Sequence, residues 1–413
     1  MAMTGILRPV TALLLATAIL MLGGGLFSVA LPLRAEIVGF SDVQIGLMGS
    51  AYYLGQIGGC FLAPSIIARV GHIRAFAAFA AVGAIGAVAH PLLVEPGLWA
   101  GLRIMNGFAV AGAYTVAEVW MQAKVTNATR GRVLGVYRLV DLGASLISQA
   151  MIGFLEPASY ISYNILAILC VMCLLPLTLT SAVEPETPKA PRLRPLAAIR
   201  LSPLGVAGVM AAGVTMPAFR MVGPIYGARI GLEPREVGFF LAAGILGGAL
   251  AQIPAGWLAD KFDRRWVLIG TSALALLVCM AITATSPAGA AAFLAAGAFG
   301  FATMPLFSLS TAHANDFARR EEITELNASL MFLYAVGAIA APLGASALIE
   351  AQGPGALFAL IGAAHLALIL FGFYRMTRRP VAATRTAYRY TPRTSFLIGR
   401  MLRRRPKPTA AKG

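Results

Sequence analysis

Apolar runs longer than the roughly 18 residues needed to cross a bilayer recur from one end of the chain to the other, separated by short polar turns. Twelve can be drawn, over 9–30, 43–68, 74–92, 97–123, 132–153, 160–180, 203–228, 236–258, 266–285, 289–313, 324–349 and 354–376. Each predicts a membrane-spanning helix. Between the sixth and seventh lies SAVEPETPKAPRLRPLAAIRLS, residues 181–202, rich in proline and charge and without an apolar period. It reads as a cytoplasmic linker. The pattern divides the chain into a six-helix bundle over 1–180, the linker 181–202, a second bundle over 203–376 and a tail over 377–413.

The two sets of six repeat. At a constant shift of 192 positions, Pro32 falls on Pro224, Gly39 on Gly231, Gly46 on Gly238 and Gly55 on Gly247. The basic turn Arg69–Arg74 falls on Lys261–Trp266. A parallel duplication of this kind predicts a solute cavity between the halves, near the bilayer midplane. Small residues such as Gly55 and Gly59, Gly83 and Gly86, and Gly244, Gly247 and Gly248 supply the close helix approach that lipid-embedded packing requires.

Composition agrees. The 413 residues are 58% hydrophobic and only 12% charged, which excludes an ordinary soluble domain. The net charge of +16 would suit a nucleic-acid binder. On these spans, however, the positive excess falls on one side, as the positive-inside rule requires, so no nucleic-acid partner is expected. Both termini then lie in the cytoplasm of a multi-pass inner-membrane protein. The tail holds twelve basic residues from Arg375 onward and no acidic one, and contact with anionic membrane lipid is expected there. Cys60, Cys170, Cys173 and Cys279 all fall inside apolar spans without a companion His cluster, so no metal or other cofactor is expected. The start, with Arg8 before an apolar run and Gly23–Gly25, mimics a signal peptide but reads as an uncleaved first span.

One polar turn carries a specific pattern. Gly256–Gly270 reads GWLADKFDRRWVLIG, and its Gly256, Leu258, Asp260, Arg264 and Arg265 resemble the signature loop of the major facilitator superfamily. Asp263 stands where that family usually has Gly. The resemblance implies an all-α polytopic membrane protein with twelve helices as two parallel six-helix bundles. The loop would join the second and third helices of the second half on the cytoplasmic side. Gly256 is expected to let two helices approach and Asp260 to sit at a helix N-terminus. In the first half the signature is eroded, with Pro64 and Ala68 in place of the Gly and Asp. A second stretch, Arg103–Gln149, resembles the bacterial YcaD-like branch at Glu118, Trp120, Thr126, Asn127, Arg130, Gly131, Tyr137 and Gln149. It departs at Val119, Met121 and Gln122, and in the charges Arg138 and Asp141. Members are presumed transporters; the resemblance supplies no substrate.

Charges inside spans cost about 2.5–3.5 kcal/mol each and need a reason. Five stand out: Arg103, Glu118, Arg138, Asp141 and Arg220. Arg103, Asn106, Gly107, Tyr114 and Glu118 fall broadly on one helical face, which should look inward. Arg103 with Gly107 also resembles the family's fourth-helix Arg-x-x-x-Gly signature, linked to proton coupling in some members. Glu118 and Arg138 lie at similar depth on antiparallel spans, and Asp141 sits three residues from Arg138. A Glu118–Arg138–Asp141 cluster is expected, with a surplus carboxylate suited to carry a proton; the alternative is a static network pinning the two spans. Arg220 has no acidic neighbour in its own half and is the candidate for an anionic solute group, with snorkelling to the outer interface as the alternative. Tyr52, Gln56, Gln252 and Tyr334 are further cavity candidates, beside His313 and Asn327. Asp316, Glu321, Glu322 and Glu325 could clasp Arg264 and Arg265 across neighbouring loops, or stay as solvated surface pairs.

No phosphate-binding glycine loop, metal triad or nucleophile constellation is visible. The reading is therefore a monomeric secondary active transporter, not an enzyme, that moves a small solute by alternating access with proton coupling. Efflux of amphipathic compounds by proton antiport is the alternative, although the fifth span, at Leu146–Gln149, lacks the Gly-Pro signature common in family antiporters. A non-transporting receptor or scaffold on the same fold is a third, more distant class.

Overall fold

The computed structural model describes residues 10–125, 130–179, 185, 192–319, 321–378 and 388. The expectations placed on Arg8, Thr126 and Asn127, on most of the linker before Arg192, and on the tail beyond Arg378 apart from Tyr388 lie outside the described residues. Twelve long helices follow one another. They are α1 (Thr11–Ile37), α2 (Asp42–Val70), α3 (His72–Leu92), α4 (Pro96–Lys124), α5 (Arg130–Met151) and α6 (Tyr160–Thr178). After a seven-residue linker helix, Pro195–Leu201, come α7 (Pro203–Arg229), α8 (Pro234–Lys261), α9 (Arg264–Thr285), α10 (Ala290–Asn315), α11 (Ile323–Gln352) and α12 (Ala356–Arg378). No strand occurs among the described residues. Ten of the twelve are long and apolar enough to cross a membrane. The other two, α4 and α5, are as long but carry most of the charges that the sequence places inside spans. The protein is an all-α polytopic membrane protein.

Local chemistry sets the helix ends, and it repeats. Ser41 caps α2 in a reciprocal box with Gln44; 192 positions later Glu233 caps α8 in the same box with Glu236. Each box follows a glycine in the left-handed region, Gly39 at φ +84° and Gly231 at φ +85°, where a side chain would be strained. Pro32 and Pro224 both lie inside their helices, α1 and α7. Glu95 caps α4 by accepting from the N–H groups of Gly97 and Leu98 at 2.9 and 2.6 Å, which holds its carboxyl below the usual range.

Packing repeats as well. The contacts α1–α5, α2–α4 and α3–α6 recur six helices later as α7–α11, α8–α10 and α9–α12. Glycine makes the tightest of these possible. Gly55 on α2 lies against the Ile104 carbonyl of α4, and its repeat mate Gly247 on α8 lies against the Gly297 carbonyl of α10. Between the halves, α2 packs on α11 and α5 on α8, again a matched pair. Gly46 and Gly238 sit at these two seams, against the Pro342 carbonyl and the Gln149 carbonyl.

Polar contacts between the halves gather at the end where α1 passes to α2 and α7 to α8. Arg229 Nη2 lies 3.0 Å from Asp42 Oδ1 and its Nε 3.8 Å from Glu36. The Val43 N–H donates to Glu350 at 3.1 Å, and the Leu343 N–H to Ser50 Oγ at 3.2 Å. Outward faces carry exposed Leu98, Ile147, Leu250, Ile253, Leu294 and Leu370, as a lipid-facing surface requires.

Candidate substrate cavity

A cavity of about 210 Å³ lies between the halves. The mid-helix positions of α1 and α2 contribute Met21, Gly24, Tyr52, Tyr53 and Gln56, and α4 contributes Val110 and Tyr114. Opposite them stand Met216, Phe219 and Arg220 of α7, Leu241 and Ile245 of α8, Met304 of α10 and Tyr334 of α11. On α5 the wall is Asp141, Leu142, Ser145 and Gln149, in which Asp141, Ser145 and Gln149 follow the i, i+4, i+8 spacing of one helix face.

Six of the sequence candidates meet here: Tyr52, Gln56, Tyr114, Asp141, Arg220 and Tyr334. Arg220 is exposed, and the cavity wall is where its side chain meets open space. Asp141, from the other half, lies within electrostatic reach of it, together with Tyr52, Tyr53 and Tyr114. The sequence offered Arg220 no acidic partner in its own half; the fold brings one from α5. Sequence reasoning also missed Tyr53 and the placing of Ser145 and Gln149 beside Asp141. The α5 spacing was the available signal.

Arg103 does not line this cavity. It is buried just behind Tyr52, with its guanidinium 4.5 Å from the Tyr52 ring and 5.5 Å from that of Phe27. It donates to Asn106 Oδ1 at 3.2 Å and points at Met221 Sδ at 3.6 Å. Among the described residues no carboxylate lies within ion-pair distance of it, and Arg220 is in electrostatic reach. The aromatic faces and the Asn106 oxygen are its compensation. Asn106 faces a separate small pocket within the first half, beside Phe27, Phe79 and Cys170.

Glu118 is fully buried and accepts from the Tyr137 hydroxyl at 3.3 Å, which ties α4 to α5 away from the cavity wall. Arg138 is half-buried one turn before Asp141. Asp141 lines the cavity, while Glu118 lies in the α4–α5 seam with Tyr137.

The signature turn departs from expectation at three positions. Helix α8 runs on to Lys261, so Asp260 lies in its last turn and not at a helix N-terminus. The cap of α9 falls to Asp263, whose Oδ1 accepts the Arg265 N–H at 3.0 Å and whose carboxylate also pairs with the Arg265 side chain at 2.8 Å. A glycine there could not do this. At Gly256 the three atoms nearest to where a side chain would be belong to the Tyr388 ring, the closest 2.8 Å away, and not to a neighbouring helix. Tyr388 also donates its N–H to Asp260 Oδ1 at 2.7 Å and its hydroxyl to Gln252 Oε1 at 2.9 Å. Gln252, expected at the cavity, belongs to this socket on α8, because positions 252, 256 and 260 share a face.

Arg264 meets only part of the expected acidic set. Its Nη1 lies 2.6 Å from Asp316 Oδ1, with side chains 1% and 4% exposed, and donates to the Ala312 carbonyl at 2.9 Å. Its Nη2 reaches Asp260 at 3.5 Å. The Arg264–Asp316 pair is buried, not solvated, and it joins α9 to the end of α10, with the exposed Asp260 of α8 beside it. Glu322 pairs instead with Arg319 at 2.7 Å, and Glu325 with Arg194 of the linker at 3.6 Å.

Comparison with known proteins agrees with this architecture. A model of the Major Facilitator Superfamily matches residues 13–233 and 201–409. An uncharacterized MFS-type transporter, YcaD of Salmonella typhi, is 27% identical over 382 residues, covering 91% of this chain and 98% of that protein. An uncharacterized MFS-type transporter of Enterobacter sp. (strain 638) is 26% identical over 368 residues, covering 88% and 94%. Among solved structures, a mutant of the nucleoside transporter NupG superimposes with a TM-score of 0.76 over 89% of this chain and 99% of that one, at 12% identity. The last is a likeness of fold.

Proposed function

The chain belongs to the major facilitator superfamily, and from that premise we propose that it is a proton-coupled secondary transporter of a small anionic solute. The observation that carries the reading is the shared cavity wall of Asp141 and Arg220, contributed by different halves. Rocking the halves about this cavity would expose it alternately to the two sides of the membrane. The domain division at 181–202, the cytoplasmic termini, the inner-membrane location and a monomeric working unit belong to the same proposal.

The charges supply a mechanism. Arg220 offers a solute anion a forked donor on the wall of a narrow cavity, where the attraction exceeds that in bulk water. Asp141 competes for that donor while it is ionised. Protonating Asp141 removes the competitor, so a bound proton raises anion affinity, and by reciprocity a bound anion raises proton affinity. Other groups shape that balance. Tyr114, with Glu118 behind it, faces Asp141 from α4; Tyr52 and Tyr53 face it from α2, and Tyr334 from α11. Arg138 adds a cation one turn away on α5, while α1, α8 and α10 contribute no titratable residue to the cavity wall. Glu118 takes the structural role: it pins α4 to α5 through Tyr137. Arg103, without a carboxylate, raises the positive potential behind the site.

The test is a melting-temperature screen of purified protein against small carboxylates, neutral metabolites and amphipathic cations, at one acidic and one alkaline pH. Carboxylates should stabilise it, more so at acidic pH, and Arg220→Gln should abolish the effect. Stabilisation by amphipathic cations alone would reverse the reading in favour of drug efflux.

A further inference from the structure

The cavity has a polarity that narrows the solute beyond its charge. Facing Arg220, which can only donate, is the α5 stripe of Asp141, Ser145 and Gln149. Gln149 is 3% exposed, and among the described residues its Oε1 finds no hydrogen-bond partner. Its amide nitrogen reaches the neighbouring Ser148 Oγ at 3.5 Å. Unsatisfied buried carbonyl oxygens are uncommon, and one on a cavity wall is an offer to a donor brought by the ligand. The remaining wall is apolar or aromatic, with Met216, Phe219, Leu241 and Met304. At about 210 Å³ the space lies below the roughly 300–1,000 Å³ of drug-sized sites, so the solute is small.

Resting on the anion reading above, we infer that the solute is a small hydroxycarboxylate with an apolar body. Its carboxylate sits on Arg220, its hydroxyl donates to the Gln149 side of the α5 stripe, and its body lies on the methionine and aromatic wall. The donor is neutral for an electrostatic reason. Arg103 and Arg220, with Arg138 one turn from Asp141, make this region rich in cations, and Asp141 is the carboxylate on the cavity wall. A monoanion loaded together with a proton on Asp141 leaves the net charge of the site unchanged. An ammonium in place of the hydroxyl would add a further cation just as Asp141 is neutralised, which such a site resists.

The experiment is calorimetric titration of the full-length protein, at acidic pH, with four compounds of one skeleton: mandelate, phenylacetate, phenylglycine and methyl mandelate. Mandelate should bind about tenfold tighter than phenylacetate, because a site built to bond a hydroxyl rejects the analogue that lacks it. Phenylglycine should bind more weakly than mandelate, and methyl mandelate should not bind. Gln149→Leu should bring mandelate down to phenylacetate while leaving phenylacetate unchanged; Ser145→Ala provides a milder second variant on the same stripe. Equal binding of mandelate and phenylacetate by the wild-type protein overturns the hydroxyl inference but leaves the anion reading standing. Binding of the ester, or of the acids by Arg220→Gln as by wild type, overturns the anion reading itself. Binding of none of the four overturns the proposed solute class.

Discussion

Asp141 on α5 and Arg220 on α7 line one cavity from opposite halves of the molecule, close enough to interact electrostatically. Each is an expensive residue inside a membrane, and each becomes intelligible beside the other. Both border open space. A carboxylate and a guanidinium so placed can exchange partners with a proton and an anion.

Neutralising one member of this pair should separate binding from coupling. Asp141→Asn mimics the protonated acid permanently, so anion binding should persist and its dependence on pH should flatten. Arg220→Gln should cost about tenfold or more in affinity, the worth of one charged hydrogen bond. Titrating a stabilising carboxylate at acidic and alkaline pH checks both. A full pH dependence surviving in Asp141→Asn would move the proton site elsewhere, with Glu118 next in line.

The Arg264–Asp316 network predicts a stability effect. Both side chains are buried, and Arg264 also donates to a backbone carbonyl of α10. Asp316→Asn or Arg264→Gln leaves a buried charge uncompensated, at a cost of about 3–5 kcal/mol. Melting curves in detergent should show either single variant well below wild type. Arg264→Met combined with Asp316→Leu should recover part of the loss, since no charge is then stranded; a double variant as unstable as the two singles summed would contradict this account.

The socket for Tyr388 predicts a non-additive pair. Gly256→Ala puts a methyl group where the Tyr388 ring lies, and the three atoms nearest to that position are all from that ring. Its consequence should therefore be release of the tail rather than disturbance of helix packing. Trypsin should cut the arginine-rich tail faster in Gly256→Ala, and equally fast in Tyr388→Ala. In a chain carrying Tyr388→Ala, adding Gly256→Ala should change nothing further. An additional loss of melting temperature in the double variant would show that Gly256 serves the bundle itself.

What could be read from sequence follows from what is local. The hydrophobic runs dictate twelve helices because burial in lipid acts on each segment separately. The repeat was readable at Pro32 and Pro224 and at Gly39 and Gly231, since those residues constrain their own backbone. Depth along a helix is also countable, and the count sets Arg138 level with Glu118. Rotation about the helix axis was not. Asp141 faces Arg220 through the packing of α5 and α7 around the cavity, and nothing within either segment encodes that meeting. Gly256 and Gln252 failed for the same reason. A small residue advertises a close neighbour without naming it, and here the neighbour is Tyr388, far along the chain.

The last prediction concerns the seam that holds the halves together. Arg229 of α7 bonds Asp42 at the start of α2, across the halves, at the end where their polar contacts gather. In the alternating-access cycle proposed above that end has to part, so the pair would belong to one state and break in the other. Arg229 is half-exposed, which limits its worth to about 1 kcal/mol, or roughly a fivefold change in the balance of states. Met48 is buried near this seam, beside Arg103 and Met221. A cysteine in place of Met48 should be alkylated slowly in the wild-type background and about fivefold faster with Asp42→Asn. Arg229→Gln should match it, and the two together should go no further, since they remove one interaction. Additive acceleration would mean that the two residues hold the seam independently, through Glu36 on one side and the α2 cap on the other.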